Sequence, residues 1–258
     1  MNNGEFYNRK NFHIGLGFDN HYALSDMNLK SDFEYDSNIA SDNDSYNLIV
    51  SDKKFMTLIT TYPAHIPYKG NRLCNKSVTE NSNLVENDNE ELTCLKLLAN
   101  ETDNFIKILL ERLKKDGYLD DTIIVIYSDH YSYGYTKIND VKKTNDNNLI
   151  QKTPLVIWGK GIKHQNIETL IDTADIPVTL FNMFGIKYNP KLYMGTDVFS
   201  SYHEKFVYFS DYSWFDGNYY SIEEIENEYT KNISKIVNEK NNINGKIILS
   251  NYYRYYKE

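Results

Sequence analysis

The chain of 258 residues is long enough for one sizeable α/β domain, or for a main domain with a small appendage. With 41% hydrophobic residues, 12 Gly and 5 Pro, it has the composition of a globular protein and is neither collagen-like nor disordered. A net charge of −8 speaks against nucleic acid as a partner through a broad basic surface, so an anionic substrate must be met by local cations: a metal, an Arg or a His.

Residues 1–54 are mostly polar, with turn signals at Gly15-Leu16-Gly17 and a Ser/Asn/Asp run from Ser37 to Ser45. Interspersed aromatics make this a loop-rich flank of an active site rather than a linker. The opening Met1–Lys10 has no apolar signal-peptide core, and no apolar run approaches the about 18 residues of a membrane span. The chain therefore reads as soluble, with no export address of its own.

Phe55-Met56-Thr57-Leu58-Ile59-Thr60 reads as a buried strand. Pro63 and Pro67 then hold the next loop out of regular structure. After a polar stretch, residues 69–90, a long helix is expected. Leu95, Leu98, Ala99, Thr102, Phe105, Ile106, Leu109 and Leu113 share one face of it. Lys114 and Lys115 suit its carboxyl end, and Gly117 suits the position just beyond.

Thr122–Tyr127 is a continuous β-branched run, the pattern of a strand covered on both faces. Pro154–Trp158 reads as a further strand, and Asp175–Phe184 as a helix with Pro177 in its first turn. Alternating helices and strands point to an α/β layered sheet. After about Ser200 the texture changes. Lys205–Ser210 and Asn218–Ile222 read as strands around an Asp216-Gly217 turn, followed by a charged helix over Glu223–Lys240 and an aromatic tail. The expected division is 1–199 and 200–258.

Asp129-His130 follows the Thr122–Tyr127 strand, and functional groups in open α/β sheets gather at the carboxyl ends of strands. Neighbouring side chains on a strand point to opposite faces, so both can meet one ion only where the strand ends. Carboxylate with imidazole suits Mn²⁺ or Zn²⁺ better than Mg²⁺. The residues alone also allow a capping Asp beside a solvated His.

His65 stands between two prolines that pre-set its loop. It is placed either to donate to a phosphate oxygen or leaving group, or to hold a loop carbonyl. Arg9 in Phe6-Tyr7-Asn8-Arg9 offers a fork for a phosphate, or is a surface charge. His13, His21, His164 and His203 read as structural or surface residues. Cys74 and Cys94 are either one bridge or two separate thiols. Neither opens a Cys-x-x-Cys or a Cys-x-Pro-x-Arg pattern, which excludes formylglycine chemistry within this chain.

The order Phe6–Arg9, then Thr60-Thr61-Tyr62-Pro63-Ala64-His65-Ile66-Pro67-Tyr68, then Asp120–His130 resembles the extracellular domain of lipoteichoic acid synthases, in the alkaline phosphatase and sulfatase superfamily. Thr153–Trp158, Asp175–Phe181 and Gly195–Phe199 extend the resemblance over nearly the whole chain.

The resemblance implies an α/β fold of the alkaline-phosphatase/sulfatase type. This is a three-layer α/β/α sheet, incomplete at its N-terminal side, with a small C-terminal α+β subdomain. It implies a phosphoglycerol transferase using one divalent metal, Mn²⁺ or Mg²⁺, in which a Thr attacks phosphatidylglycerol and the glycerol phosphate passes to a polymer or glycolipid. Asp129 and His130 would then be metal ligands. Arg9, Tyr7 and His65 would hold the glycerol phosphate, with His65 catalytic.

The location implied is the extracellular face of the membrane. The partners implied are a phosphatidylglycerol-type lipid or glycerol-phosphate polymer, together with the missing N-terminal half of the enzyme. In that family the nucleophilic Thr and a metal-binding Glu precede the Phe-Tyr-Asn-Arg segment, so this chain is expected to be catalytically incomplete by itself. The same frame also serves phosphoethanolamine transferases, phosphodiesterases and sulfuric ester hydrolases. A non-catalytic module that binds a polyanion or glycolipid is the reading from another class.

Overall fold

The computed structural model describes residues 6–27, 35–74, 90–138, 151–221 and 226–255. Most of the polar stretch before the long helix, 75–89, lies outside the described residues, as do Ile222 to Ile225 around the expected end of the second hairpin strand. The chain forms two compact units, one of residues 1–126, 132–138 and 155–162, the other of 127–131, 139–154 and 163–258.

The first unit holds helices α1 (Arg9–Gly15), α2 (Asp36–Ser41), α3 (Asn43–Tyr46) and α4 (Glu90–Lys115). Strands β1 (Ile124–Tyr127) and β2 (Leu155–Trp158) pair in a two-stranded sheet. Helix α4 organises this unit. Glu90 and Glu91 stand in its first turn and Arg112, Lys114 and Lys115 in its last, each sign on the favourable end of the helix dipole. It stops where Gly117 takes a φ of +83°, as the sequence predicts, and Tyr118 N–H closes back onto Leu113 O at 2.8 Å.

The helix starts earlier than the apolar spacing suggests, so its buried face gains Thr93, Cys94 and Leu97 beside Leu98, Phe105 and Leu113, while Ala99 faces solvent. Cys94, Leu97 and Leu98 pack with Tyr68, Leu73, Cys74 and Tyr135 in the unit's core.

Helix α2 lies against α4. The Arg112 guanidinium donates to the carbonyls of Ala40, Ser41 and Asp42, and to Asn43 Oδ1 at 2.8 Å. It also sits 3.8 Å from the Tyr46 ring centre. One planar cation thus satisfies the Ala40 and Ser41 carbonyls orphaned at the end of α2, and adds a second donor to Asp42 O, which also accepts Tyr46 N–H.

Phe55–Thr60 does not form the expected strand: it carries no ladder, and Phe55, Met56 and Leu58 are exposed. An apolar run becomes a strand only beside a hydrogen-bonded neighbour. Among the described residues it is tied by Thr57 Oγ1 donating to Ile49 O at 2.7 Å and by the Phe55 ring meeting Tyr118 edge-on. The β1 and β2 strands form as expected but are not covered on both faces, since Ile126, Tyr127, Val156 and Trp158 are exposed.

In the second unit lie α5 (Asp175–Met183), strands β3 (Val207–Tyr208) and β4 (Trp214–Phe215), α6 (Glu228–Leu249) and α7 (Tyr252–Tyr255). Strand β3 pairs antiparallel with β4, Val207 opposite Phe215 and Tyr208 opposite Trp214. The Asp216-Gly217 turn forms, with Gly217 at φ +99° and Asp216 Oδ1 accepting from Asn218 N and Tyr219 N. It links β4 to a single bridge at Tyr220, however, and not the two strands expected. Asp211 explains the shift: it accepts from Ser213 N and Oγ, turning the chain early so that Trp214 is captured as a strand residue.

Trp214 is the anchor of a core with Ile233 and Val237 of α6, and its Nε1 donates to Ser234 Oγ at 2.9 Å. Helix α6 begins at an Asn227 cap that accepts from Thr230 N at 2.9 Å.

Candidate functional site

Arg9 is the first residue of α1, and the two residues before it are strained. Tyr7 and Asn8 both take left-handed backbone, φ 53° and 55°. For a Tyr this conformation costs roughly 1–3 kcal/mol and occurs mostly where structure is bent to a function. It leaves the Tyr7 ring 82% exposed beside the guanidinium-bearing turn. One turn along α1, His13 Nδ1 meets His21 Nδ1 at 2.9 Å. Burial first, then the neighbouring His21 and Arg9, pushes the His13 imidazole below its ordinary value. These two histidines, which have no patterned company in the sequence, form a pair that buttresses the helix of Arg9.

His65 is exposed at the tip of the loop between Pro63 and Pro67. Its Nδ1 faces Ile66 O at 2.6 Å, so that nitrogen carries the proton and Nε2 is the outward atom. The ring stacks on Tyr62, with centroids 5.7 Å apart and planes 17° from parallel. His65 N–H donates to Tyr62 O at 2.9 Å.

Two carboxylates hold the loop from below. Buried Asp36, at the start of α2, accepts Tyr62 N–H at 2.8 Å, and Glu90 of α4 accepts Gly70 N–H at 3.1 Å. Burial pushes the Asp36 carboxyl up to about 7; the Tyr62 N–H opposes this and Glu101 adds to it. Little in the sequence sets Asp36 apart, since it lies in a polar run resembling any loop. Its one signal is an Asp at the head of a short stretch holding Ile39 and Ala40, where a helix can start.

Asp129 and His130 belong to the second unit. Strand β1 ends at Tyr127, and this frees the pair from the alternation that would point them to opposite faces. His130 Nε2 lies 3.6 Å from Asp129 Oδ1, with the Asp side chain 85% exposed. His130 Nδ1 faces the carbonyl of Tyr131 at 2.7 Å, the same arrangement as in His65, so each imidazole presents Nε2.

Metal–ligand bonds of about 2.0–2.2 Å place neighbouring ligand atoms roughly 3.0–3.6 Å apart, so this carboxylate and imidazole fit two positions on one ion. The backbone carbonyl behind His130 is the kind of outer partner that fixes a ligand ring. Among the described residues no group of three or more His, Cys, Asp or Glu is arranged to hold a metal. The structure thus brings Asp129 and His130 together as a pair. In the first unit, Tyr7 and Arg9 share the head of α1 and His65 stands on its own loop.

In the second unit a buried polar network joins the other segments singled out in the sequence. Asp175 Oδ1 accepts from Thr196 N at 2.6 Å, and Asp175 Oδ2 from Asp172 N at 3.0 Å. Thr196 Oγ1 meets His203 Nδ1 at 2.9 Å, while His203 Nε2 donates to Leu170 O at 2.7 Å. His203 is therefore a structural histidine, as the sequence reading allows. Gly195 packs so closely on the Ala174 carbonyl that a Cβ has no room.

The sulfatase family model matches residues 1–186. Lipoteichoic acid synthase 2 of Bacillus subtilis (strain 168) is 27% identical over 178 residues, 62% of this chain and 27% of that protein. Lipoteichoic acid synthase 1 of the same organism is 23% identical over 98% of this chain and 42% of its own length. Lipoteichoic acid synthase of Staphylococcus aureus (strain USA300) is 24% identical over 98% of this chain and 42% of its own. The chain spans less than half the length of these curated relatives.

Proposed function

This chain belongs to the sulfatase family, by which it is an enzyme and lipoteichoic-acid-synthase-like, and on that premise we propose that it is part of a phosphoglycerol transferase. Its substrate would be a phosphatidylglycerol-type lipid and its acceptor a glycerol-phosphate polymer or glycolipid, handled at the extracellular face of the membrane. No helix among the described residues is long and apolar enough to cross a membrane. In this reading the portion of such an enzyme outside the 42% of the relatives' length matched here is the partner that completes the site. In this reading residues 1–199 contribute to a three-layer α/β/α domain and residues 200–258 form its C-terminal subdomain.

The observation that carries the reading is the Asp129–His130 pair, 3.6 Å apart just past the end of a strand in a chain of this family. Asp129 Oδ1 and His130 Nε2 would hold a divalent ion, Mn²⁺ or Mg²⁺. When bound, that ion supplies Lewis-acid stabilisation of charge on a phosphoryl oxygen. Arg9 grips the phosphate through its planar fork, and Tyr7 offers its exposed ring and hydroxyl beside it. His65, its ring fixed by Tyr62 and by the Ile66 carbonyl, directs Nε2 to a phosphate oxygen or to the departing oxygen. What the chain's own residues do is bind, orient and move a proton.

The test is binding of sn-glycerol 1-phosphate to the 258-residue chain, measured calorimetrically with Mn²⁺ present. Saturable binding that weakens in both Arg9→Ala and His130→Ala supports the assignment. Absence of binding, or binding indifferent to both substitutions, overturns it.

A further inference from the structure

Cys74 and Cys94 are the chain's two cysteines, and nothing in the proposed chemistry uses them. Both are free thiols and both are buried, Cys94 completely. They lie in one core cluster with Tyr68, Leu73, Leu97, Leu98 and Tyr135, and Cys74 is among the groups whose proximity acts on the Cys94 thiol. Two buried cysteines placed side by side by chance would be held only by packing. Here both backbones are also fixed. Cys74 N–H donates to Asn71 Oδ1 at 3.3 Å, Leu73 N–H to the same oxygen at 2.9 Å, and Asn71 Nδ2 to Pro67 O at 2.7 Å. The Leu73 carbonyl accepts from Tyr35 Oη at 3.3 Å. Cys94 sits within the long helix α4, one turn before Leu97 and Leu98.

We propose that Cys74 and Cys94 are a built disulfide site that staples the His65 loop to α4. The cluster they share is the floor on which Tyr62, Ala64 and Ile66 pack, so the cross-link would lie directly beneath the loop that presents His65. Two S–H bonds break and one S–S bond forms. The two electrons and two protons pass to an external disulfide, which is reduced to two thiols.

Timing follows from burial. Burial and the neighbouring Cys74 push the Cys94 thiol up from its ordinary value, so the thiolate needed for exchange is scarce once the core has closed. The bond forms before the core around Cys94 has closed, and is then sealed from reductant. The proposal draws on the extracellular reading given above only for where the bond persists, because an oxidising compartment retains it.

The test uses the whole chain, unfolded and reduced, then refolded with either reduced glutathione alone or a mixture of reduced and oxidised glutathione. Free thiols are counted by alkylation in denaturant and mass measurement, and thermal unfolding is followed on both products. The expected result is a monomer with no alkylatable thiol from the oxidising mixture. Its melting temperature should exceed that of the reduced product by about 5–10 °C, the gain from closing a loop of this size. The double variant Cys74→Ala/Cys94→Ala should show no difference between the two refolding conditions. Two alkylatable thiols after oxidative refolding, disulfide-linked dimers, or a cross-linked monomer that melts no higher than the reduced one would each overturn the proposal. Because no readout depends on phosphoglycerol binding, the proposal and the functional assignment fail separately.

Discussion

The Asp36 carboxylate accepts the backbone N–H of Tyr62 at 2.8 Å, across 26 residues of chain, and so carries the loop that presents His65. An acid buried at the head of a helix with one backbone donor and a second carboxylate nearby is an expensive support. It persists because it fixes where Tyr62, and the imidazole stacked on it, stand.

Stability should therefore depend on pH through Asp36. The folded carboxyl is held up to about 7 and the unfolded one titrates near 3.8, so between these values the folded state binds more protons. Stability contributed by this group is complete below pH 3.8 and falls as pH rises to 7, by about 4 kcal/mol in all. Asp36→Asn keeps an acceptor for Tyr62 N–H but cannot ionise. Denaturant unfolding at several pH values should show a slope in the wild type that the variant lacks; equal slopes would rule out Asp36 as its source.

Replacing Arg112 with Ala removes a donor from the Ala40, Ser41 and Asp42 carbonyls and from Asn43 Oδ1, leaving Asp42 O with Tyr46 N–H, and uncovers the Tyr46 ring. The expected loss is about 2–3 kcal/mol. Arg112→Lys should recover less than half, since a point charge cannot reproduce the planar fork. Chemical denaturation decides this, and a loss under about 0.5 kcal/mol would make the contact incidental.

Gly195→Ala is expected to destabilise the second unit even though alanine is small. The added Cβ meets the Ala174 carbonyl, which is backbone and cannot swing aside, and Thr196 beside it anchors Asp175 and His203. A cost of about 1–3 kcal/mol is expected, read from thermal unfolding. Thr196→Val, which removes the hydroxyl between Asp175 and His203, should cost about 1–3 kcal/mol by leaving the buried His203 Nδ1 without its partner.

Metal binding should require Asp129 and His130 jointly. Asp129→Asn and His130→Ala are each expected to weaken Mn²⁺ binding by at least about tenfold, and the double variant should cost little more than either single change. Electron paramagnetic resonance of free Mn²⁺ in titrations of the chain gives the affinities. Both side chains are exposed, so folding should be unchanged. Independent, additive losses would show that the two do not share one ion.

His65→Ala should reduce glycerol-phosphate affinity by about tenfold or more, as expected for a lost hydrogen bond to a charged group. Tyr62→Ala should reduce it through the same ring, by unstacking the imidazole rather than removing it. Calorimetry on both variants separates contact from positioning: an undiminished affinity in Tyr62→Ala would confine the role to His65 itself.

The sequence by itself determined the elements whose cause is local. Helix α4 follows from apolar spacing and charged ends, its stop from Gly117, and β1 and β2 from short β-branched or apolar runs. It also placed Asp129-His130 past the end of a strand, and its motif order matched the family that the comparisons bear out. Tertiary structure alone decided the rest. Phe55–Thr60 is as apolar as β1, yet a strand needs a neighbour that no local pattern encodes.

The Asp36–Tyr62 hydrogen bond, the His13–His21 pair and the core shared by Cys74 and Cys94 join residues 26, 8 and 20 apart in the chain. Each depends on burial by elements that approach only when the chain folds. Hydrophobic periodicity is written residue by residue, whereas the partner of a buried carboxylate or thiol is set by which backbone arrives beside it.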